Sequence, residues 1–427
     1  MAGRLRVGIV ADDITGANDV GAMLARNGYV CTVMSLAEGP VPEDFEGSDA
    51  LVINTGSRLD TPEEAAEKSA RAAAILRGMG CERFSAKTCS VFRGNIGASL
   101  DAVQDAVDAA CTMVVLGFPA NGRTTLHGVH YVNGVPLEKT AFAADPVNPM
   151  HQSRLKDILA QQSERGSAEF PYEWLELPVE KQQDLLEKLK ARTRYILFDV
   201  RDDRDLHLIA RLIRSERSIA GASAIFGALP QAWGCATAPV PCPFHPSVHG
   251  TLIVSGSLTP QTRAQTAVLR AQGIPCVTLD PVLLLEDGLE ALYDRLAGEL
   301  TASLSAGQSV LLCADQDNGR AADAAARRKM DSRTLGRRIT SALSLLAGRA
   351  CRASGVRRVL VAGGETSDWV SAALGVRSMR IWEELEPGIP LMTGRTRDGE
   401  ELLLVFKSGS FGSDGFLLNT MCRMNQA

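Results

Sequence analysis

The sequence predicts an α/β protein of two domains, each a largely parallel sheet covered by helices. Three observations carry this. The chain has 427 residues, more than one hydrophobic core ordinarily serves. In both halves, short apolar runs alternate with longer stretches of helical period, the rhythm of βα units. Between the halves lies Ala236-Thr-Ala-Pro-Val-Pro-Cys-Pro-Phe-His-Pro246. So many prolines exclude a helix interior or a central strand. The expected domains are therefore 1–240 and 247–427.

In the first domain, strands are expected at 6–11, 30–35, 50–55, 83–86 and 113–117. Helices are expected between them at 17–27, 62–78 and 95–110. The helix at Pro62 has clear start chemistry: Asp60 or Thr61 as cap, Pro62 in the first turn, and Glu63 and Glu64 at the positive end. Residues 119–175 are rich in Gly, Pro and Asn and read as long loops with one helix at 153–162. A strand at 195–200 and a helix at 203–214 follow. The second domain reads as strands at 251–255, 276–279, 309–313, 359–362 and 402–406, with helices at 260–272, 286–303, 333–353, 365–374 and 415–421. Arg327-Arg-Lys329 reads as a solvated loop.

Composition narrows the function. A net charge of −5 argues against a nucleic-acid or anionic-membrane surface. No apolar run reaches a membrane span, and the N-terminus enters a strand without a secretory signal. A cytoplasmic protein is expected. The ten cysteines are scattered without a Cys-x-x-Cys pair and read as reduced thiols. His127 and His130 share a Gly-bearing loop but lack a cysteine or acid partner nearby, so no metal site built from protein ligands is expected. Oligomeric state is not legible, and a homo-oligomer stays open.

Chemistry concentrates at strand ends. The first strand runs straight into Asp12 and Asp13, and Thr15, Gly16, Asn18 and Asp19 follow as a helix begins. Open α/β proteins build polar sites at such junctions. Asn54-Thr-Gly-Ser-Arg58 and Lys87-Thr-Cys-Ser-Val-Phe-Arg-Gly-Asn-Ile-Gly97 occupy two further strand ends. Arg58, Lys87 and Arg93 thus stand near the acids. They read as a site for a small anionic, hydroxyl-rich ligand; the alternative is ion pairing with the aspartates.

Three glycine-bearing turns mark the second half: Val254-Ser-Gly-Ser-Leu-Thr-Pro260, Val361-Ala-Gly-Gly-Glu-Thr-Ser367 and Lys407-Ser-Gly-Ser-Phe-Gly412. Glycine lets backbone N–H groups approach a bulky anion, and a helix start adds positive dipole. Ser255, Ser257, Thr366 and Ser408 add hydroxyls. Neither a Walker-type phosphate loop nor a dinucleotide fingerprint is present. The two halves suggest a small acid on one domain, a nucleotide on the other, and an active site in the interdomain cleft that closes for phosphoryl transfer.

These motifs resemble the four-carbon acid sugar kinase family, whose members phosphorylate acids such as threonate, erythronate and 3-oxo-tetronate with ATP. The resemblance spans nearly the whole chain. It rests on Ala11-Asp-Asp-Ile-Thr-Gly-Ala-Asn-Asp19, the Lys87 to Gly97 run, Asn121-Gly-Arg-Thr124, Asp145-Pro-Val-Asn-Pro-Met150, Ser255-Gly-Ser257, Gly363-Gly-Glu-Thr-Ser367, Glu386-Pro-Gly-Ile-Pro390 and Lys407-Ser-Gly-Ser-Phe-Gly412. It implies an N-terminal sugar-acid domain and a C-terminal nucleotide domain. It further implies substrate contacts from Asp12 or Asp13, Arg58, Lys87 and Arg93, with Asp19 in the same cluster. ATP contacts are implied from Ser255, Ser257, Gly363, Gly364, Glu365, Thr366, Gly409 and Gly412. Many members carry Asp-Ser-Thr where Cys89-Ser-Val91 stands here; the lost hydroxyl at Val91 is expected to change which substrate hydroxyls are read.

The expected mechanism places the substrate carboxylate on Lys87 and Arg93, with Arg58 a third partner. Asp13, or alternatively Asp12, accepts the hydroxyl proton. Mg²⁺ is held mostly by phosphate oxygens and water. Two rivals differ in class. An aspartyl phosphatase needs acids two apart, and Asp12 and Asp13 are adjacent. A non-catalytic sugar-acid sensor on the same fold would not need the carboxylates, cations and glycine turns together.

Overall fold

The structure, a computed structural model, describes residues 6–39, 42–145, 148–244, 250–286, 288–315 and 318–426. Residues 146 and 147 of the 145–150 motif, the last two of the Pro-rich linker and the expected start of the second domain at 247 lie outside these. The chain divides into two units, Met1–Val240 and Pro241–Ala427.

Strands of the first unit are β1 (Val7–Ala11), β2 (Cys31–Ser35), β3 (Ala50–Asn54), β4 (Arg83–Lys87), β5 (Thr112–Val115), β6 (Arg123–Leu126), β7 (Val129–Val132), β8 (Val135–Pro136), β9 (Ser167–Phe170), β10 (Tyr195–Phe198) and β11 (Ser218–Gly221). Its helices are α1 (Ile14–Ala25), α2 (Pro62–Gly78), α3 (Ile96–Ala106), α4 (Leu155–Ala160), α5 (Val179–Lys190), α6 (Asp203–Leu212) and α7 (Ile225–Ala232). The main sheet runs β2-β3-β1-β4-β11-β5-β10-β9, and every neighbouring pair is parallel. Covered on both faces, its inner strands are uninterrupted buried runs: Val-Gly-Ile-Val-Ala in β1 and Ala-Leu-Val-Ile-Asn in β3.

Topology fixes where ligands go. After β1 the chain moves out past β3 to β2; after β4 it moves the other way, past β11 to β5. The neighbours β1 and β4 therefore flank a topological switch point, and their carboxyl ends open on the crevice where such sheets place ligands. Register sets the residues of that edge side by side: Ala11 pairs with Asn54 and Lys87, and Lys87 with Gly221.

The second unit holds β12 (Leu252–Ser255), β13 (Cys276–Leu279), β14 (Val310–Ala314), β15 (Arg358–Ala362), β16 (Val376–Glu386), β17 (Ile389–Thr396) and β18 (Glu401–Lys407). Its helices are α8 (Pro260–Ala271), α9 (Glu290–Ser305), α10 (Asn318–Arg327), α11 (Ser332–Ser354), α12 (Gly364–Ala373) and α13 (Phe416–Gln426). The order β13-β14-β12-β15-β18 is parallel, and β17 and β16 extend it antiparallel. A core of Ile253, Leu311, Leu360, Val405 and Phe416 packs one face.

Several local expectations needed correction. Thr61, not Asp60, caps α2: its hydroxyl accepts from Glu64 N at 3.3 Å while Glu64 Oε2 accepts from Thr61 N at 3.0 Å, a reciprocal capping box. The expected loops of 119–175 contain the β6-β7-β8 antiparallel sheet. Its turns are His127-Gly128 and Asn133-Gly134, all at positive φ, and Asn-Gly is a strong hairpin signal. The β16–β17 hairpin is antiparallel and carries register shifts, which blur the alternation that would reveal it. Helix α10 was not anticipated. Arg327 ends it, and Arg328 pairs with Glu286 at 2.6 Å rather than standing wholly solvated.

Candidate active site

At the switch point, β1 ends at Ala11 and Asp13 begins α1. Asp13 is extended (φ −147°, ψ 160°) and accepts the Gly16 N–H at 2.8 Å, so the carboxylate caps the helix. The Thr15 hydroxyl donates to its other oxygen at 3.0 Å. Arg58 grips Asp12 bidentately, Nε to Oδ2 at 2.8 Å and Nη2 to Oδ1 at 2.7 Å, and its Nη1 donates to Asp13. Burial pushes the Asp13 carboxyl up; Arg58, Lys87, the Gly16 amide and the Thr15 hydroxyl outweigh it and hold the group below its ordinary range.

Lys87 ends β4 and is 6% exposed. Its ammonium donates to the Thr88 carbonyl at 2.9 Å and acts electrostatically on both Asp13 and Asp19. Gly16 leaves room for it: a Cβ there would stand 2.5 Å from Asp13 Oδ1 and 3.1 Å from Lys87 Nζ. Asp19, one turn further along α1, accepts from the Ser223 hydroxyl. Burial raises its pKa despite Lys87 and Ser223, with Asp13 adding to the rise. Its Oδ1 is buried without a hydrogen-bond partner.

The third cation lies on the loop between β4 and α3. Arg93 pairs with Asp145 at 2.7 Å, donates to Cys89 Sγ at 3.5 Å and lies 5.1 Å over the Phe142 ring. Burial raises the Cys89 thiol, but Arg58 and Arg93 reverse this and lower it. Phe92 in this loop is non-glycine at φ 60° and fully buried, the kind of local strain that collects at functional loops. The structure thus brings Asp12, Asp13, Asp19, Arg58 and Lys87 together, and both arginines are already paired with acids. Val91 is 1% exposed and Cys89 7%, so both side chains are buried in this loop.

His130, weighed in the sequence only as a metal ligand, has a structural role instead. It is fully buried on β7, with Nδ1 3.0 Å from the Thr125 hydroxyl and Nε2 2.9 Å from the Ser90 carbonyl. A carbonyl can only accept, so Nε2 carries the proton and Thr125 donates to Nδ1. Burial lowers its pKa to about 4, which keeps this neutral tautomer. His130 therefore ties the Arg93 loop to the small sheet. The signal was the register Thr125 to His130, visible once His127-Gly128 is read as the hairpin turn between β6 and β7.

In the second unit the three glycine turns do converge. Ser255 pairs in register with Ala362, and Ala362 with Lys407. The N–H groups of Gly256 and Ser257 donate to the Ala362 carbonyl at 3.1 and 3.2 Å. A Cβ at Gly256 would stand 2.1 Å from Thr366 Oγ1, and one at Gly409 2.2 Å from Ser257 Oγ. Gly363 (φ +132°) would place a Cβ 2.8 Å from Thr366 Oγ1 and 3.3 Å from Ser257 N. Only glycine allows such close approach of three turns and the start of α12. Gly364 begins α12, Thr366 is buried, and Glu365 is exposed in the first turn. Gly412 (φ +84°) instead packs toward Phe416 and Gln265. Backbone amides at a helix start, crowded by glycine, fit phosphate groups. Among the described residues no cluster of His, Cys, Asp and Glu is arranged to hold a metal ion, and no helix is long and apolar enough to cross a membrane.

Residues 7–229 match the model of a sugar-binding N-terminal domain, and residues 252–417 that of a nucleotide-binding C-terminal domain. A 3-oxo-tetronate kinase of Brucella melitensis is 30% identical over 434 aligned residues, covering 99% of this chain and 96% of the relative. A D-threonate kinase of Salmonella typhimurium is 31% identical, covering 97% of each. The chain belongs to the four-carbon acid sugar kinase family. Solved structures agree with this family fold. A Salmonella typhimurium LT2 protein described as a tRNA synthase superposes with TM-score 0.84 at 28% identity, covering 97% of this chain and 98% of that one. A Haemophilus influenzae protein gives 0.78 at 26% identity, covering 98% and 99%. The family's two domain descriptions fall on the two units that carry the acid–lysine cluster and the glycine turns.

Proposed function

We propose that this chain transfers a phosphoryl group from ATP to a hydroxyl of a four-carbon sugar acid such as threonate, erythronate or 3-oxo-tetronate. The observation that carries this reading is the buried Lys87 ammonium beside Asp13 and Asp19, at the switch point of a unit that matches a sugar-binding domain. A buried cation and a carboxylate at one strand edge can bind an acid and orient its hydroxyl at once.

In this reading Asp13 rather than Asp12 takes the hydroxyl proton. Asp12 gives both oxygens to the charged Arg58 fork, whereas Asp13 meets one arginine nitrogen on Oδ2 and only neutral donors otherwise, the Gly16 N–H on Oδ1 and the Thr15 hydroxyl on Oδ2. Lys87 and Arg93 face the substrate carboxylate, and Arg58 holds the two acids in place. Asp19 keeps Lys87 oriented. Ser255, Ser257, Gly363, Gly364, Thr366 and Gly409 supply the cradle for the nucleotide phosphates, with Glu365 and Gly412 at its margin. ATP supplies the transferred group, and Mg²⁺ neutralises charge on the phosphate oxygens. The chain's own work is positioning and charge placement.

A coupled assay of ADP release against a panel of sugar acids tests this. The expected result is release that depends on one or a few four-carbon acids. ATP and acid that both bind without any ADP release would instead support the sensor.

A further inference from the structure

Lys407 ends β18 and is fully buried, yet among the described residues no carboxylate pairs with it. Its ammonium donates to Thr262 Oγ1 at 3.1 Å, to the Ser408 carbonyl at 3.0 Å and to the Gly409 carbonyl at 3.3 Å. Burial alone lowers its pKa to about 8. An unpaired buried charge works against folding, so the fold keeps this one at a cost.

The Gly409 carbonyl shows what the ammonium does. It accepts from Thr259 Oγ1 at 2.7 Å and from Thr262 Oγ1 at 2.7 Å, as well as from Lys407. Thr262 has one hydroxyl hydrogen and gives it to Gly409, so it must accept from Lys407. Three donors thus converge on one carbonyl oxygen. The peptide that follows is trans, like every described peptide. Its N–H, on Ser410, must point opposite to the clamped carbonyl. No protein acceptor takes that N–H among the described residues, and Ser410 is exposed. The same peptide lies against Ser257, where a Gly409 Cβ would stand 2.2 Å from Ser257 Oγ.

We infer that Lys407, Thr259 and Thr262 are positioning residues that lock the Gly409–Ser410 peptide with its N–H turned toward the nucleotide phosphates, and that the Lys407 charge polarises that peptide as an anion donor. The inference rests on the nucleotide reading of the second unit and names parts that reading leaves unassigned. A cation behind a carbonyl draws electron density through the amide and strengthens its N–H as a donor, a cooperative effect favoured away from water. The ammonium itself need not touch the ligand.

The test is calorimetric titration of the full chain and its Lys407→Met, Thr262→Val and Thr262→Ser variants with adenosine, AMP, ADP and ATP. Melting temperatures are measured alongside. Lys407→Met and Thr262→Val are expected to weaken ATP and ADP by about ten-fold or more, since a hydrogen bond to a charged group is at stake. Adenosine affinity should stay within about two-fold, and Thr262→Ser should restore ATP binding. A merely structural role would weaken adenosine and ATP alike, and that result overturns the inference. So does ATP affinity unchanged in both variants while the wild type binds ATP. Wild-type protein that binds none of the four ligands overturns the nucleotide reading beneath it.

Discussion

Replacing Asp13 with Asn separates chemistry from architecture. The amide oxygen can still accept the Gly16 N–H, and Asn caps helices about as well as Asp, so α1 keeps its start. What is lost is the charge that Arg58 Nη1 and the Thr15 hydroxyl meet. Arg58 keeps its two bonds to Asp12. Part of the loss is offset because the buried carboxylate no longer needs desolvating. The net effect on stability is about 1 kcal/mol, below the roughly 1.5–3 kcal/mol of a charged hydrogen bond because of that offset. That is a fall of roughly 2–4 °C in Tm. If Asp13 takes the substrate proton, kcat should fall by about 100- to 10,000-fold, while ATP affinity is unchanged. ADP release, calorimetric ATP titration and thermal melts on one preparation give all three numbers. Turnover within about three-fold of wild type, with the sugar acid saturating, would refute the role given to Asp13.

Three further substitutions probe the surroundings. Asp19→Asn should raise Tm at neutral pH. The folded-state pKa of Asp19 is raised above 3.8, so its ionised form opposes folding above that window; the gap between variant and wild type should narrow as pH falls toward 4, and a constant gap across pH contradicts this. His130→Leu leaves the Ser90 carbonyl without its donor at a cost of about 1–3 kcal/mol; it should raise KM for the sugar acid and leave KM for ATP alone, and equal effects on both would show that the histidine only packs. Gly363→Ala forces a Cβ to 2.8 Å from Thr366 Oγ1 at φ +132°, at about 1–3 kcal/mol of strain; melts should show it, with ATP affinity falling alongside, and a normal melt would mean the turn relaxes.

Much of this was legible in the sequence, for physical reasons. Strands buried on both faces, such as β1 and β3, are apolar throughout and flanked by loops, so the parallel core and its strand ends could be read. Asp12, Asp13 and Lys87 sit directly after or at those ends, and register did the rest. What was not legible is pairing across long separations. That Arg58 spends its fork on Asp12 follows from the β1–β3 alignment, and the Arg93 link to Asp145 depends on how the 119–145 loops fold back. Strand β11 reads Ser-Ile-Ala-Gly, too short and small to announce a central strand, yet it places Gly221 beside Lys87. The burial of Val91 is likewise set by how its loop folds. Lys407 was visible only as part of a glycine motif, since nothing in the sequence shows that it lacks a counter-ion.

The central claim is that phosphorus moves from ATP to a four-carbon acid. Phosphorus-31 NMR of the full chain with ATP, Mg²⁺ and each acid of the panel observes that transfer directly. The account predicts a phosphate-ester signal on one acid, growing in step with ADP and absent with the Asp13→Asn variant. ADP accompanied only by inorganic phosphate, or no change in any mixture while both ligands bind, would contradict it.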